Sequence, residues 1–409
     1  MNKGRRQNGG VSRRTFLQLS LGALLAWLSG CRRAAEEPTA TPSPSPSPSP
    51  TATATVPPSS AVEPAPTITP GIASTPTYTP PAPSPTPVPL TYTPVPATPT
   101  VPPTATPLPA PALNRQTLMA HWPATPTSRV VIVRHSGVWT SDGPDPDIVF
   151  QMLDAGLSAL TDSADVMAVW RALFAPGERV LLKVNCIAAG GPTQPVVTYA
   201  VARRLKDAGL PGENILIFDR TDHELAAAGY KLNEGDKGIR CHGARGEGTE
   251  AVLTQATVRF YKELDEYDAL INLPTPKQHS GAGVSVSLKN HYGSVNRPGS
   301  LHGSWCDPAI AELNAQPNIR DKTRLIVGAA LNVSPFDWNN PERENAILLS
   351  FDPVALDTVA RDILVRHRQE RGHSAGYLIE GARHLSTAQA LGLGASEAHL
   401  IDLREVSLG

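Results

Sequence analysis

The chain has 409 residues, and 26 of its 42 prolines lie between Pro38 and Pro111, where Glu63 is the only charged residue. A segment with so little apolar bulk cannot offset its ordering entropy, so we predict that it does not fold. About 300 residues remain, enough for one large α/β domain or two small ones. This part holds 29 basic and 34 acidic residues. The acidic balance argues against a nucleic-acid-binding protein.

The first 31 residues have the layout of an export signal. Arg13 and Arg14 precede an apolar run of about 15 residues, shorter than the roughly 20 that a membrane-spanning helix needs. The pattern resembles a twin-arginine signal, and the ending Leu28-Ser29-Gly30-Cys31 resembles the lipobox of bacterial lipoproteins. We therefore expect export by the twin-arginine translocase and a lipid on Cys31 that tethers the protein to the membrane outside the cytoplasm. The alternative is an uncleaved anchor with a chance cysteine.

Three regions are predicted along the chain: a signal peptide at 1–31, a Pro/Thr/Ser-rich linker at 32–112 and a folded domain at 113–409. The linker composition is typical of an extended polyproline stalk, which would space the domain from the membrane. The alternative is a proline-rich ligand for a recognition module.

Five apolar runs in the folded domain predict strands that are buried on both faces, at 129–133, 179–184, 214–218, 269–273 and 325–329. Helical patterns alternate with them, at 148–160, 164–174, 196–208 and 353–366. This alternation predicts an α/β fold with a layered, mostly parallel sheet flanked by helices. Ligands of such sheets bind beyond the carboxyl ends of the strands, so the polar residues there are candidates for a site.

The first candidates follow the run that ends at Val184. Lys183 and Asn185 come first, and a glycine-rich turn with Gly190, Gly191 and Thr193 leads into the next helix. The free backbone N–H groups of such a turn favour an anion, and Thr193 is a plausible N-cap of that helix. An ordinary charge at a strand edge is the alternative for Lys183.

Carboxylates mark two further strand ends. Asp219 and Asp222 follow the strand that ends at Phe218, where they could hold a metal or a ribose hydroxyl; helix capping is the alternative, especially for Asp222. Asp352 precedes Pro353, which suits the first position of a helix, so Asp352 is a predicted N-cap that could also serve a site.

The densest group of polar residues follows the run at 269–273. Two lysines and three histidines lie within 26 positions, broken by glycines: Lys277, His279, Lys289, His291 and His302. Histidine moves protons near neutral pH, and a desolvated lysine acts as a base, a nucleophile or an anion clamp. One histidine alone would more often be structural, but the group favours a functional site.

Residues 129–366 resemble the family called domain of unknown function 362. The motifs are Lys183 with Asn185, Lys277-x-His279, Lys289-Asn290-x-x-Gly293, His302 and Ser350-x-Asp352-Pro353-x-Ala355-x-Asp357. The family has no established reaction to transfer. Many members carry a ferredoxin-type cysteine run, but this chain has no C-x-x-C, so no ferredoxin-type iron–sulfur cluster is expected.

The order His279, Lys289, Gly293, His302 is also similar to lactate-racemase-type enzymes. Those enzymes use a nickel pincer nucleotide bonded to the lysine, with histidines that move protons. The similarity implies that Lys289 lies at the cofactor position and that His279 and His302 lie near the metal or the substrate. Asn290 and the residue after it stand where those enzymes favour small residues and a proline. The cofactor is otherwise unknown.

Cys186, Cys241 and Cys306 are three in number, so they cannot all pair within one chain. There are two alternatives. Either two of the cysteines form a disulfide and the third is a free thiol, or all three are buried thiols.

The leading hypothesis is a tethered enzyme, an isomerase or oxidoreductase, that acts on a small polar or anionic substrate by proton or hydride chemistry. Its catalytic candidates are Lys183, His279, Lys289 and His302. Its ligand-binding candidates are Asn185, Gly190, Gly191, Thr193, Asp219, Lys277, Asn290 and Asp352. A lipoprotein that binds a ligand or a metal without turnover is the alternative, and an inert display scaffold is the third.

Overall fold

The computed structural model describes residues 115–119, 127–187 and 191–409. The predicted signal peptide with Cys31, the linker and Gly190 lie outside the described residues, so the predictions about them stay predictions. No helix in the described ranges is both long enough and apolar enough to cross a membrane.

An eight-stranded sheet forms the centre of the domain. The strands are β1 (Ser128–His135), β2 (Trp139–Thr140), β3 (Gly143–Pro144), β4 (Val180–Val184), β5 (Ile215–Phe218), β6 (Arg240–His242), β7 (Glu247–Val252), β8 (Thr257–Tyr261), β9 (Ala269–Leu273), β10 (Lys277–His279), β11 (Gly283–Ser285), β12 (Thr323–Val333), β13 (Glu342–Ser350) and β14 (Ile401–Leu408). The order in the sheet is β14-β1-β13-β12-β9-β4-β5-β6, and three antiparallel hairpins, β2–β3, β7–β8 and β10–β11, lie outside it.

The sheet is mixed but mostly parallel, as predicted. Strand β13 runs antiparallel to β1 and to β12, and every other adjacent pair is parallel. Each of the five predicted strands is present, with ends within a few residues of the predicted ones. No predicted strand corresponds to β6, β13, β14 or the three hairpins β2–β3, β7–β8 and β10–β11.

Helices cover both faces of the sheet. They are α1 (Arg115–Met119), α2 (Pro146–Thr161), α3 (Val166–Leu173), α4 (Pro195–Asp207), α5 (Asp222–Ala227), α6 (Glu263–Glu266), α7 (Ser287–Asn290), α8 (Ala309–Asn314), α9 (Pro317–Arg320), α10 (Pro353–Glu370), α11 (Gly376–Gly381) and α12 (Arg383–Ala390). The four predicted helices correspond to α2, α3, α4 and α10.

Local sequence explains where these helices begin. The side chain of Asp145 accepts hydrogen bonds from the first N–H groups of α2, and Asp352 does the same for α10, each directly before a proline. The predicted N-cap Asp352 is thus confirmed. The predicted N-cap Thr193 is wrong, because α4 begins after Gln194, which makes no side-chain cap bond.

Alternation along the strands builds two apolar cores. Val131 and Val133 pack with α2, α3 and α4 on one face, whereas Val130 and Ile132 pack with α8, α10 and α12 on the other. Because Leu181 belongs to the second core, Lys183, two residues on, projects to that same face at the carboxyl end of β4.

Candidate functional site

The carboxyl end of β4 carries a buried ion pair. Lys183 is fully buried, and its Nζ donates to Asp219 Oδ1 at 2.8 Å and to the carbonyl oxygen of Val184 at 2.6 Å. Asp219 follows β5 directly, and its Oδ2 accepts the N–H of Cys186 at 2.6 Å. Both charges are therefore paired and hydrogen-bonded, as burial requires. A Cβ at Gly293 would lie 2.8 Å from Asp219 Oδ1 and 2.9 Å from Lys183 Nζ, so the pair is covered by a residue that must be small.

A second buried lysine lies beside this pair but has only neutral partners. Lys277 Nζ donates to Asn185 Oδ1 at 2.6 Å and to the carbonyl oxygen of Ile187 at 2.8 Å. Its side chain is 1% exposed, and burial lowers the pKa of Lys277 to about 7, opposed by the charge of Asp219. This amine therefore titrates near neutral pH.

Side-chain amides join the two lysines. Asn290 Oδ1 accepts from Lys183 Nζ at 3.4 Å and from Asn185 Nδ2 at 3.3 Å, and Asn290 Nδ2 donates to Asn272 Oδ1 at 2.7 Å. Strand register places Asn272 directly opposite Lys183 on β9. We call Lys183, Asn185, Asp219, Lys277, Asn272 and Asn290 the lysine–amide group. It is a continuous buried hydrogen-bond network, which fixes its members in one arrangement.

Helix α7 carries Asn290 and is fixed by two buried side chains. Asp357 on α10 accepts the N–H groups of Ser287 and Leu288, at 2.7 and 3.0 Å, and burial raises the pKa of Asp357 to about 7. Asn272 Nδ2 donates to His291 Nε2 at 3.1 Å, and burial lowers the pKa of His291 to about 3. His291 is therefore a neutral structural histidine.

Three further predicted residues form what we call the histidine group: Lys289, His279 and His302. Lys289 Nζ lies 3.2 Å from His302 Nε2 and 4.1 Å from the centre of the Tyr292 ring. The rings of His279 and His302 are 5.6 Å apart. His302 Nδ1 lies 2.9 Å from the carbonyl oxygen of Pro298, which can only accept, so His302 carries its proton there and Nε2 is the acceptor for Lys289.

Burial and mutual repulsion shift the pKa values of this group downward. Burial lowers the pKa of Lys289 to about 8. Burial, with the charge of Lys289 second, lowers the pKa of His279 to about 3 and also lowers the pKa of His302. The amine of Lys289 therefore gains and loses a proton near neutral pH, next to two neutral imidazoles.

Trp338 lies between the two groups. Its ring centre is 5.5 Å from Lys277 Nζ and 5.9 Å from the His279 ring, and its Nε1 donates to the carbonyl oxygen of Gln278 at 2.7 Å. Lys277 and His279 share strand β10, so the hairpin β10–β11 connects the lysine–amide group to the histidine group. The structure thus brings most of the predicted site residues into one region.

The other predicted ligand-binding residues have different surroundings. Gly191 packs against this region, since a Cβ there would lie 3.4 Å from Lys277 Cε. Thr193 Oγ1 accepts the N–H of Asn185 and donates to the carbonyl oxygen of Leu273, so it supports the strand ends. Asp352 caps α10 and accepts from Ser128 Oγ and the N–H of Ala395, so both of its oxygens are occupied outside the two groups.

Asp222 and the cysteines have structural roles. Thr221 rather than Asp222 caps α5, and Asp222 accepts from the N–H of Gly243 and from Arg245. Cys186, Cys241 and Cys306 are free and buried, so the disulfide alternative is wrong and the interpretation as three buried thiols is confirmed.

Neither a metal nor a nickel pincer nucleotide fits the residues as they are placed. Within the described ranges, no group of three His, Cys, Asp or Glu side chains is arranged to hold a metal ion. The Lys289 side chain is 7% exposed, and its amine is enclosed by Tyr292 and His302. A nucleotide bonded to that amine would require both rings to move.

Sequence reasoning missed several residues of this region. Asn272 lies within the apolar run of β9, and Trp338 lies in the connection between β12 and β13, so no local motif marks them; Tyr292 is an unspecified position of the motif Lys289-Asn290-x-x-Gly293. His384 on α12 is fully buried, neither of its ring nitrogens has a hydrogen-bond partner within the described residues, and its charge would lower the pKa of His279. A single histidine within a helical sequence pattern does not mark a functional site, so His384 was not predicted.

Comparison with known proteins agrees with the predicted family. Residues 180–362 match the family described as Domain of unknown function (DUF362). The predicted resemblance is confirmed. A thylakoid-associated protein of Synechocystis sp. is 29% identical over 209 residues, which make up 46% of this chain and 64% of that protein. The DUF362 match thus rests on the segment that holds β4, β5, β9, β12 and both groups of site residues.

Two solved structures are similar to this chain, both with low TM-scores. A protein from Thermotoga maritima has a TM-score of 0.34 at 12% identity, covering 60% of this chain and 59% of that one. The lactate racemase apoprotein of Thermoanaerobacterium thermosaccharolyticum has a TM-score of 0.31 at 14% identity, covering 55% and 54%. The chain therefore spans less than two thirds of each of these relatives.

Proposed function

We propose that the chain is an enzyme that binds a small anionic substrate at the histidine group and moves a proton with Lys289 and His302. The observation that carries this proposal is the contact between Lys289 Nζ and His302 Nε2, at 3.2 Å. A buried amine with a pKa near 8 against a neutral imidazole is suited to general acid–base work near neutral pH.

The proton would follow a short path. The exposed His302 ring would turn aside to admit a small substrate, and neutral Lys289 would take a proton from it, which leaves a substrate anion and an ammonium group. The ammonium passes a proton to His302 Nε2, and the imidazolium releases a proton to water, because His302 lies at the exposed rim while Lys289 is buried behind it. The reverse sequence returns a proton to the substrate. His279, neutral and protonated on Nε2 since its Nδ1 accepts the N–H of Gly281, could donate a hydrogen bond to the bound molecule.

Charge balance favours an anionic substrate. Lys277 and Lys289 are both more than nine-tenths buried, and neither makes an ion pair within the described part of the chain. A buried ammonium group without a counter-charge is unfavourable, and a bound anion would supply that charge. Lys277 would thereby act as an anion clamp near the reacting end.

Solvent exchange at carbon tests the proposal without knowledge of the product. The full-length protein is incubated in D2O with a panel of 2-hydroxy and 2-amino carboxylates, and loss of the C–H signal next to the carboxylate is followed by proton NMR. We expect exchange with at least one compound, abolished in Lys289→Met and reduced at least 100-fold in His302→Asn. Lys322→Met is the matched control, because Lys322 lies before β12, at the opposite end of the sheet.

The same experiment separates the alternatives. Exchange that survives in Lys289→Met would refute the proposed base. Binding of a panel compound by calorimetry without exchange in any compound would favour a ligand-binding lipoprotein without turnover. Absence of both binding and exchange would remove both functions.

We also propose that the protein is exported by the twin-arginine translocase and tethered outside the cytoplasm by a lipid on Cys31. The support is the order of Arg13-Arg14, the apolar run and the lipobox-like ending. Arg13→Lys combined with Arg14→Lys should leave the protein in the cytoplasm, and Cys31→Ser should leave it without a lipid. Unchanged export of the double lysine variant would refute the assignment.

A further inference from the structure

Three consecutive residues after the histidine group have left-handed backbone. Ser304, Trp305 and Cys306 have φ angles of 50°, 62° and 59°, and none of them is glycine. L-residues rarely adopt this conformation, and a bulky residue such as tryptophan is a real outlier there. Such strain persists only where the surroundings hold it, and it is found disproportionately at functional sites.

Hydrogen bonds and packing fix both ends of this turn, residues 304–306. Gln255 Nε2 donates to the carbonyl oxygens of Gly303 and Asp307, at 2.9 and 3.0 Å. Cys306 is fully buried, in the same core cluster as Tyr292 and Leu301. A Cβ at Gly281 would lie 4.0 Å from Cys306 Sγ, so the turn packs beside the backbone that follows His279. The strained turn is therefore built against the histidine group.

The turn presents an aromatic side chain to solvent. Trp305 is 40% exposed although most aromatic rings of the domain are in the two cores, and it follows the exposed His302 by three residues. One edge of its ring packs against Gly381, where a Cβ would lie 3.3 Å from Cε3. The guanidinium of Arg383 lies 5.2 Å from a Trp305 ring centre and makes no ion pair with the described residues. The strained turn thus places an indole at the rim of the site, beside a guanidinium group that has no ion pair among the described residues.

We propose that Trp305 is a substrate-contact residue that selects anions with a planar or apolar body. The body of the ligand lies on the indole, and its charged end lies next to Arg383 and is directed toward the histidine group. The inference rests on the proposed function for the place of the reacting end, and it adds the substrate class. It explains why an exposed tryptophan is kept in a strained conformation that core packing does not need.

Binding of two probes tests this substrate class. Benzoate and acetate each carry one carboxylate, but only benzoate has a planar body. Their affinities for the full-length protein are measured by calorimetry at pH 7. We expect benzoate to bind at least tenfold more tightly than acetate, a ratio that reports the ring contact and not the overall fold.

Two glycine variants separate the side chain from the backbone. Glycine adopts left-handed backbone without strain, so Trp305→Gly removes the indole and keeps the turn, while Ser304→Gly relieves strain next to it and keeps the indole. We expect Trp305→Gly to abolish the preference for benzoate and Ser304→Gly to retain it. Circular dichroism confirms that both variants fold.

Each outcome decides for or against the inference. No preference for benzoate in the wild type, or an unchanged preference in Trp305→Gly, would overturn it. A preference lost in Ser304→Gly as well would show that the turn and not the ring is responsible, which also overturns it. The binding measurement needs no turnover, so its result stands even if no exchange is found in D2O. Conversely, the absence of a preference for benzoate would leave the proton-transfer proposal intact.

Discussion

The buried pair Lys183–Asp219 should dominate the stability of the carboxyl end of β4. Asp219→Asn keeps the size of the side chain but removes its charge and turns one oxygen into an N–H donor. Three donors face the native carboxylate: Lys183 Nζ at 2.8 Å, the N–H of Cys186 at 2.6 Å and the N–H of Arg220 at 2.8 Å. In the variant one of them loses its acceptor, and the lysine loses the only carboxylate with which it forms an ion pair in the described part of the chain.

The cost follows from burial. The side chains of Lys183 and Asp219 are 1% and 7% exposed, so water cannot replace the lost partner. Removing one member of a buried pair costs about 3–5 kcal/mol. Asp321→Asn is the matched control, because its pair with Arg320 has side-chain exposures of 45% and 55%. An exposed pair of that kind contributes roughly 0–1 kcal/mol.

Denaturant unfolding followed by circular dichroism measures the difference, with the wild type and both single variants at the same pH. Lys183→Met should also be destabilising, and the double variant Lys183→Met/Asp219→Asn should lose at least ~1 kcal/mol less than the sum of the single changes, since the two residues are coupled. An effect of Asp219→Asn no larger than that of Asp321→Asn, or strict additivity in the double variant, would refute the reasoning.

Three further predictions concern glycine packing, pH and rate. Gly293→Ala should destabilise the protein by about 1–3 kcal/mol in the same unfolding assay, because its Cβ would contact the buried pair, whereas Gly299→Ala, with open space around it, should have little effect. Hydrogen bonds that His367 donates to Glu344 and Glu342 raise the pKa of His367, against the opposing effect of burial. Its stabilising contribution is therefore complete below the unfolded value near 6.5 and is lost as pH rises through the folded value. The stability advantage of the wild type over His367→Gln should therefore be larger at pH 6 than at pH 9, and an equal advantage would contradict the assigned contacts. If neutral Lys289 is the base, the exchange rate should rise about tenfold per pH unit below a pH near 8 and level off above it; a rate independent of pH would exclude this role.

Local sequence was sufficient for the strands that are buried on both faces. The run Ala269–Leu273 is apolar apart from one asparagine, and β9 has those bounds. Strand Glu342–Ser350 was missed because its first four residues are charged or polar, so its apolar run is only four residues long, at 346–349. Its insertion between β1 and β12 depends on pairing with two distant strands, which a local pattern does not encode.

The sequence also pointed to segments whose residues meet in the structure. Lysines and histidines within 26 positions are rarely needed for packing, so residue type and density indicated the region from Lys277 to His302. The same reasoning assigned Asp352 to the site as well as to a helix end, and its contacts in the structure belong to the helix end and its neighbours.

Tertiary structure alone decided which of these residues meet. Lys183 and Asp219 are 36 positions apart and Asn185 and Lys277 are 92 apart, and they touch because parallel strands in register bring their carboxyl ends to one edge. Burial at that edge, not residue type, lowers the pKa values of Lys277 and Lys289 toward neutrality. The composition and periodicity of the sequence determined an α/β domain with basic residues at its strand ends, because these depend on local hydrophobic pattern. Contacts and desolvation depend on distant parts of the chain, so the pairing of charges and the strained turn that carries Trp305 became visible only in the folded domain.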